Sequence, residues 1–237
     1  LDDISLTQEE SHNIMLKIIS GEFSDAQISG FLIALRAKGE SSSEIAGFAQ
    51  AMRDKMTKIE SVEGAIDMCG TGGDASGTFN ISTAASFVVA GAGVPVAKHG
   101  NRSMSSKSGS ADVLTELGVD ITLPPQKVSE CISKIGIGFM FAPSLHPAMK
   151  YAMGARIALE TRTVFNILGP LCNPAGVSRQ LMGIFDGNLT DKVARVLQKL
   201  GSKHAMIVHG QDGLDEISTT SSTEISHLKI DGEVESM

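Results

Sequence analysis

Near Gly64 the spacing of the apolar residues changes, and that change limits the folds open to the chain. Upstream, three helix-start signals recur: Thr7 with Glu10, Ser24 with Gln27 and Ser41 with Glu44. Each sets a hydroxyl three residues ahead of a Glu or Gln, the spacing at which both side chains satisfy free backbone N–H groups. After Ser24, Ile28, Phe31, Leu32 and Leu35 fall at helical intervals; after Ser41, Ile45, Phe48, Ala49, Met52 and Met56 do the same. Each stripe needs burial, which predicts a helical subdomain over residues 1–62, packed on itself or on a partner copy. Downstream, β-like and helical runs alternate: 65–68, 82–90, 94–97, 111–117, a helix after Pro124, 137–141, 147–159, 181–185, 191–200, 205–208 and 225–230. That alternation predicts a larger α/β domain over 63–237 with a mostly parallel central sheet. In such sheets ligands bind beyond the carboxyl ends of the strands.

Composition removes several function classes. The net charge is −7, Trp is absent and Tyr occurs once, so neither a basic surface nor aromatic stacking for nucleic acid is expected. The longest apolar run, around residues 84–89, is too short to span a bilayer. Residues 1–10 are polar and acidic, without a signal-peptide pattern, so the expected location is the cytoplasm. Cys69, Cys131 and Cys172 lack metal-ligand spacing and read as small buried apolar residues in a reducing compartment. The chain starts at Leu1 and stops soon after a strand-like run, which reads as part of a longer protein.

The first strand run ends in Asp67-Met68-Cys69-Gly70-Thr71-Gly72-Gly73-Asp74. Glycines there let backbone N–H groups approach an anion, since no Cβ intervenes. Asn80-Ile81-Ser82-Thr83 then opens a helix whose free N–H groups suit a phosphate, with Ser82 as a candidate cap. A dinucleotide fingerprint needs an acid about 20 residues on, and Pro95-Val96-Ala97-Lys98-His99 offers none; an ATP-type loop needs a Gly-Lys-Ser/Thr ending, also missing. A turn with only a structural role is the plain alternative.

Between Asp74 and Asp112 there is no acid, whereas Lys98, His99, Arg102 and Lys107 sit among Ser103, Ser105, Ser106, Ser108 and Ser110. Placed just after the strand run at 94–97, this island reads as a local anion trap beside the glycine loop. A solvated loop with chance clustering is the plain reading. Two donor-rich loops facing one cleft suit a substrate with two separated phosphate groups.

These motifs, with Phe141-Ala142-Pro143-Ser144-Leu145-His146-Pro147, Arg156, Asn166-Ile167-Leu168-Gly169-Pro170-Leu171-Cys172-Asn173-Pro174 and Asp215-Glu216, closely resemble the anthranilate phosphoribosyltransferase family over nearly the whole chain. The resemblance implies transfer of a phosphoribosyl group from phosphoribosyl pyrophosphate (PRPP) to the amine of anthranilate in tryptophan biosynthesis, with Mg²⁺ as cofactor. It implies PRPP contacts from Gly70, Gly73, Asp74, Thr78, Asn80, Ile81, Ser82, Thr83, Lys98, His99, Gly100, Asn101, Arg102, Ser103, Met104, Ser105, Ser106 and Ser110. Lys98 and Asn101 would stabilise the transition state; no acid or base catalyst is assigned. Gly70, Asn101, His146 and Arg156 would receive anthranilate, and Ser82, Asp215 and Glu216 the metal. For His146, helix capping or a bond to a buried carbonyl is the plain alternative. Residues 160–178 would form a hinge returning to the helical subdomain. A homodimer through the N-terminal helices and association with a glutamine amidotransferase or anthranilate synthase are also implied. A pyrimidine nucleoside phosphorylase is the rival reading; a nucleic-acid-binding relative would need a basic surface that the chain lacks.

Overall fold

The computed structural model describes residues 4–73, 77–103 and 108–237. Asp74, Met104, Ser105 and Ser106, four of the expected PRPP residues, lie outside that set. The chain opens with helices α1 (Gln8–Ile19), α2 (Asp25–Lys38) and α3 (Ser42–Lys55). All three capping boxes form, with the hydroxyls of Thr7, Ser24 and Ser41 accepting from the N–H three residues on.

The strands are β1 (Ile66–Gly70), β2 (Val96–Gly100), β3 (Ile137–Phe141), β4 (Arg179–Gly183), β5 (His204–Gly210), β6 (Thr223–Leu228) and β7 (Val234–Ser236). They form one seven-stranded sheet in the order β3-β2-β1-β4-β5-β6-β7. The pairs from β3 to β5 are parallel, and β6 and β7 add antiparallel at one edge. Between the strands run α4 (Ile81–Gly91), α5 (Ser110–Glu116), α6 (Pro125–Ile135), α7 (Ala142–Leu145), α8 (Lys150–Leu159), α9 (Phe165–Leu168) and α10 (Thr190–Lys199). The first crossovers lead from β1 toward β3 and the next return to β4 on the other side of β1, so β1 and β4 flank the switch point of a doubly wound sheet.

The helical stripes do not close on themselves alone. Met15, Leu32, Phe48 and Ala49 share one continuous apolar core with α9, α10 and the β4–β5 strands. Arg53, on α3, donates to the carbonyls of Leu171 (2.7 Å) and Leu200 (3.2 Å), tying the bundle to the segment after α9 and to the end of α10. A second core joins α6 to Ala97 and Met140.

Several local expectations change. The second strand begins at Val96 and runs through Lys98 and His99 to Gly100, because all five residues pair with β3. Lys98 and His99 are therefore strand residues, not loop residues. Ser82 is not the cap: Asn80 holds that position without a side-chain cap bond, and Ser82 lies in the first turn. Cys69 and Cys172 are buried as expected, but Cys131 is only half-buried on α6.

Candidate active site at the carboxyl edge of the sheet

The switch point is built from glycines because a loop descends onto it. Asp215, in the loop after β5, presses against the ends of β1 and β4. A Cβ on Gly183 would overlap the Asp215 carbonyl oxygen, and one on Gly70 would lie 2.7 Å from Asp215 Oδ2. Gly72 N donates to the same Oδ2 at 2.8 Å, and Thr71 N donates to Gly183 O at 3.0 Å. Gly72 and Gly73 hold φ of +65° and +81°, a backbone that side chains resist. The glycine loop and Asp215 are thus one unit, and the loop's shape depends on a carboxylate 143 residues away in sequence.

Beside it, successive residues of β2 point to opposite faces. Lys98 turns toward α4: its Nζ donates to Met68 O at 2.5 Å and to Ser82 Oγ at 3.2 Å. Burial lowers its pKa, opposed by the charges of Asp67, Cys69 and Glu216. Lys98, Ser82 and Glu216 therefore meet where β1 ends and α4 begins. His99 turns the other way and packs against His146, ring centroids 5.1 Å apart. The Gly169 backbone bonds His99 and the Cys172 backbone bonds His146. Burial, with the neighbouring His146, takes His99 down to about 3, and burial takes His146 down to about 4, so both rings are neutral near pH 7. The plain reading of His146, a ring bonded to buried backbone, accounts for one ring nitrogen only, since the Nε2 atoms of His99 and His146 are buried without a hydrogen-bond partner among the described residues.

The described residues at the two ends of the island between β2 and α5 are drawn together. Asp112 accepts from Ser103 N (3.0 Å), Gly109 N (2.8 Å) and Arg102 Nη1 (2.9 Å). Arg102 is thus paired with a carboxylate, which weakens it as an anion donor and strengthens it as a loop clamp. Ser110 Oγ donates to Asn101 O at 3.3 Å. Asn80 Nδ2 reaches Ser108 O at 3.0 Å, joining the start of α4 to the island. The glycine loop, the α4 N-terminus and the island are therefore contiguous. Thr78, Asn101 and Arg102 are exposed there, and Ile81 and Thr83 lie in the first turn of α4.

Arg156 lies on α8, half-buried, with Cζ 5.3 Å from the Phe165 ring centroid; burial lowers its pKa. No bond between Arg156 and the glycine loop is seen among the described residues. The cation that reaches the loop is Arg162, which the sequence reading missed: its Nη2 donates to Gly73 O and its Cζ sits 4.1 Å from the Phe185 centroid.

Also missed was the layer beneath the site. Asp67, fully buried on β1, accepts from His99 N at 3.1 Å and from Gln180 Nε2 at 3.4 Å. Gln180 Nε2 also donates to Pro170 O at 2.7 Å, and Asn173 Nδ2 to Ala97 O at 3.0 Å. The one visible sequence signal was an acid inside an apolar strand run.

Asp215, Glu216 and Ser82 offer hard oxygen donors, the set that suits Mg²⁺. Glu216 acts electrostatically on Lys98, whose Nζ bonds Ser82, and Asp215 packs on Gly70 at the end of β1, so α4 and the 211–222 loop bring these oxygens to the same end of β1. The residues fit such an ion.

Comparison with known proteins agrees with this architecture. A family model described as "Glycosyl transferase family, a/b domain" matches residues 62–237, and one described as "Glycosyl transferase family, helical bundle domain" matches residues 1–56. An anthranilate phosphoribosyltransferase of Xanthobacter autotrophicus is 55% identical over 94% of the chain, which covers 65% of that protein. One of Thioalkalivibrio sulfidiphilus is 53% identical over 98% of the chain, covering 68% of it. The chain thus spans about two thirds of the length of these relatives. Among solved structures, an anthranilate phosphoribosyltransferase from Thermus thermophilus superposes with a TM-score of 0.91 at 40% identity, covering 99% of this chain and 70% of that one. The Saccharomyces cerevisiae enzyme in complex with PRPP and Mg gives 0.86 at 29% identity, covering 98% and 68%.

Proposed function

This chain belongs to the anthranilate phosphoribosyltransferase family, and from that premise we propose that it transfers the phosphoribosyl group of PRPP to the amine of anthranilate. The single observation that carries the reading is the convergence of the glycine loop, the α4 N-terminus, Lys98 and the Asp215-Glu216 loop at the switch point of the sheet. The yeast relative bound to PRPP and Mg supports the substrate and the cofactor.

The reaction breaks the C1–O bond of PRPP and forms a C1–N bond, with the displaced amine proton passing to solvent. Negative charge gathers on the leaving pyrophosphate while the ribose becomes oxocarbenium-like. Donors already held in place where that charge develops lower the barrier. In this chain they are the Gly70–Gly73 backbone, the first turn of α4 from Asn80 to Thr83, and the Lys98 ammonium. Asn101, Arg102, Ser103 and Ser110 close the ribose side, with Asp112 fixing the turn that presents them. Mg²⁺ held by Ser82, Asp215 and Glu216 would supply charge neutralisation for the pyrophosphate. The aromatic amine of anthranilate is already unprotonated at neutral pH, so orientation is the main task at that end. Arg156, with Gly70, Asn101 and His146, is assigned to the anthranilate carboxylate side.

The N-terminal helices are assigned to a homodimer and residues 160–178 to a hinge, the latter supported by the Arg53 bond to Leu171 O that joins that segment to the bundle. Association with a glutamine amidotransferase or anthranilate synthase and a cytoplasmic location complete the reading. Among the described residues no helix is long and apolar enough to cross a membrane. No observation favours phosphorolysis of a pyrimidine nucleoside. The test is the loss of anthranilate fluorescence with PRPP and Mg²⁺ present. Consumption that needs all three is expected; consumption of thymidine or uridine with phosphate instead would replace the assignment.

A further inference from the structure

Far from the switch point, the antiparallel edge brings two histidines together that the proposed reaction does not use. His204 opens β5 and His227 lies near the end of β6, with Ala205 paired to Leu228 and Met206 to His227. Their Nε2 atoms are 2.7 Å apart, ring centroids 4.9 Å apart and planes inclined by 57°. Two strands of a hydrogen-bonded ladder thus aim two imidazole nitrogens at one point. Both rings are half-buried on the face opposite the Ala205, Ile207 and Leu228 core, so ions can reach them.

We propose that His204 and His227 form a two-imidazole site for a borderline divalent metal ion of the Zn²⁺, Ni²⁺ and Cu²⁺ class. Imidazole nitrogen is the donor these ions favour, in its neutral form. At the 2.7 Å separation one ring donates its Nε2 proton to the other, so one lone pair is already aimed across the gap. Coordination by both requires the shared proton to leave, by a shift of that ring to the Nδ1–H tautomer through solvent. Two Zn–N bonds of about 2.0–2.1 Å at a tetrahedral angle put the nitrogens roughly 3.3 Å apart. The pair therefore opens by about half an ångström, within the reach of side-chain rotation, and the ladder need not move. Water fills the remaining positions, because no group of three or more His, Cys, Asp or Glu ligands converges among the described residues.

The charged neighbours set the strength. Arg179 is paired with His204 across β4–β5 and opposes a cation. Glu235 is paired with His227 across β6–β7, but its carboxylate is held by Lys229 at 2.6 Å, and Lys229 also binds Glu233 at 3.1 Å. A site of modest affinity follows, open to soft and borderline ions rather than to Mg²⁺.

Titration calorimetry with Zn²⁺ at pH 7.5 or so, with Mg²⁺ in excess to fill oxygen-donor sites, tests this on the whole 237-residue chain. One ion per chain is expected, with His204→Gln and His227→Gln each weakening it at least about tenfold, as loss of one of two ligands demands. The Asp215→Asn, Glu216→Gln double variant should bind Zn²⁺ as the unmodified chain does. Histidine ¹⁵N spectra of the unmodified chain should show the Nε2 signals of His204 and His227 moving together. No heat from the unmodified chain, heat undiminished in the two histidine variants, or heat lost only with Asp215 and Glu216 changed would each overturn the site.

Discussion

The helical bundle and the carboxyl edge of the sheet solve the burial problem in opposite ways. In the bundle, Met15, Leu32, Phe48 and Ala49 carry most of the burial through apolar side chains, beside two buried polar residues, Ser11 and Glu44, the latter bonded to Lys38, Ser41 N and Leu6 N. At the sheet edge, Asp67, Lys98, His99 and His146 are buried as well, and each needs backbone or side-chain partners drawn from distant segments. Burying charge is expensive unless it is bonded. The bundle is therefore largely legible as an apolar pattern, with Glu44 and Arg53 adding a few long-range bonds, whereas the edge holds together mainly through bonds that no local pattern announces. The contrast separates a region held mainly by apolar packing from one held by bonded polar groups.

The contrast breaks if the two regions respond alike to substitution. Phe48→Ala, at a fully buried position edge-on to Phe31, should cost about 3–5 kcal/mol of unfolding free energy by denaturant titration. A cost below about 1 kcal/mol would mean the bundle is not packed as a core.

Acid should act on the sheet edge instead. His99 and His146 titrate near 6.5 when unfolded but are lowered to about 3 and about 4 when folded. Between those values the unfolded chain binds more protons, so their contribution is present above pH 6.5 and is lost as pH falls toward 4. The loss is about 3 kcal/mol for each ring over that window. His146→Gln should flatten the pH dependence of unfolding between pH 4 and 6.5; an unchanged slope would show that the ring is charged or exposed.

Arg156→Ala sharpens the functional half of the contrast. Losing a charge-assisted bond to a substrate carboxylate, worth about 1.5–3 kcal/mol, should lower kcat/KM for anthranilate roughly 10- to 200-fold while the KM for PRPP hardly moves. A change in stability without a change in kinetics would leave Arg156 as a packing partner of Phe165.

Gly183→Ala forces a shift of backbone, since its Cβ would overlap the Asp215 carbonyl. That shift costs about 1–3 kcal/mol, as overpacking does. The Mg²⁺ and PRPP dependence of the rate should shift more than the unfolding midpoint. A variant with native kinetics would detach the Asp215 loop from the switch point.

Much of this was readable beforehand, for stated reasons. Capping boxes and 3.6-residue stripes are local, so the starts of α1, α2 and α3 follow from residues three or four apart. The glycine loop was legible because glycine marks backbone that side chains cannot adopt. The placement of Lys98 was misread because pairing to β3 extends β2 past the apolar run into charged residues. Arg162 and Gln180 escaped notice because each resembles an ordinary surface polar residue until its partner, Gly73 or Asp67, is known.

By itself the sequence determined the helical bundle, the alternating α/β order and the chemical types gathered at the carboxyl edge, since each is written in short-range spacing. Only the tertiary structure decided which of those groups meet. Asp215 reaches the glycine loop, Asp112 bonds Ser103 N and Gly109 N and pairs with Arg102, and His99 turns away from Lys98. Those outcomes depend on strand register and on loops closing over long separations, and no residue carries that information in its neighbours.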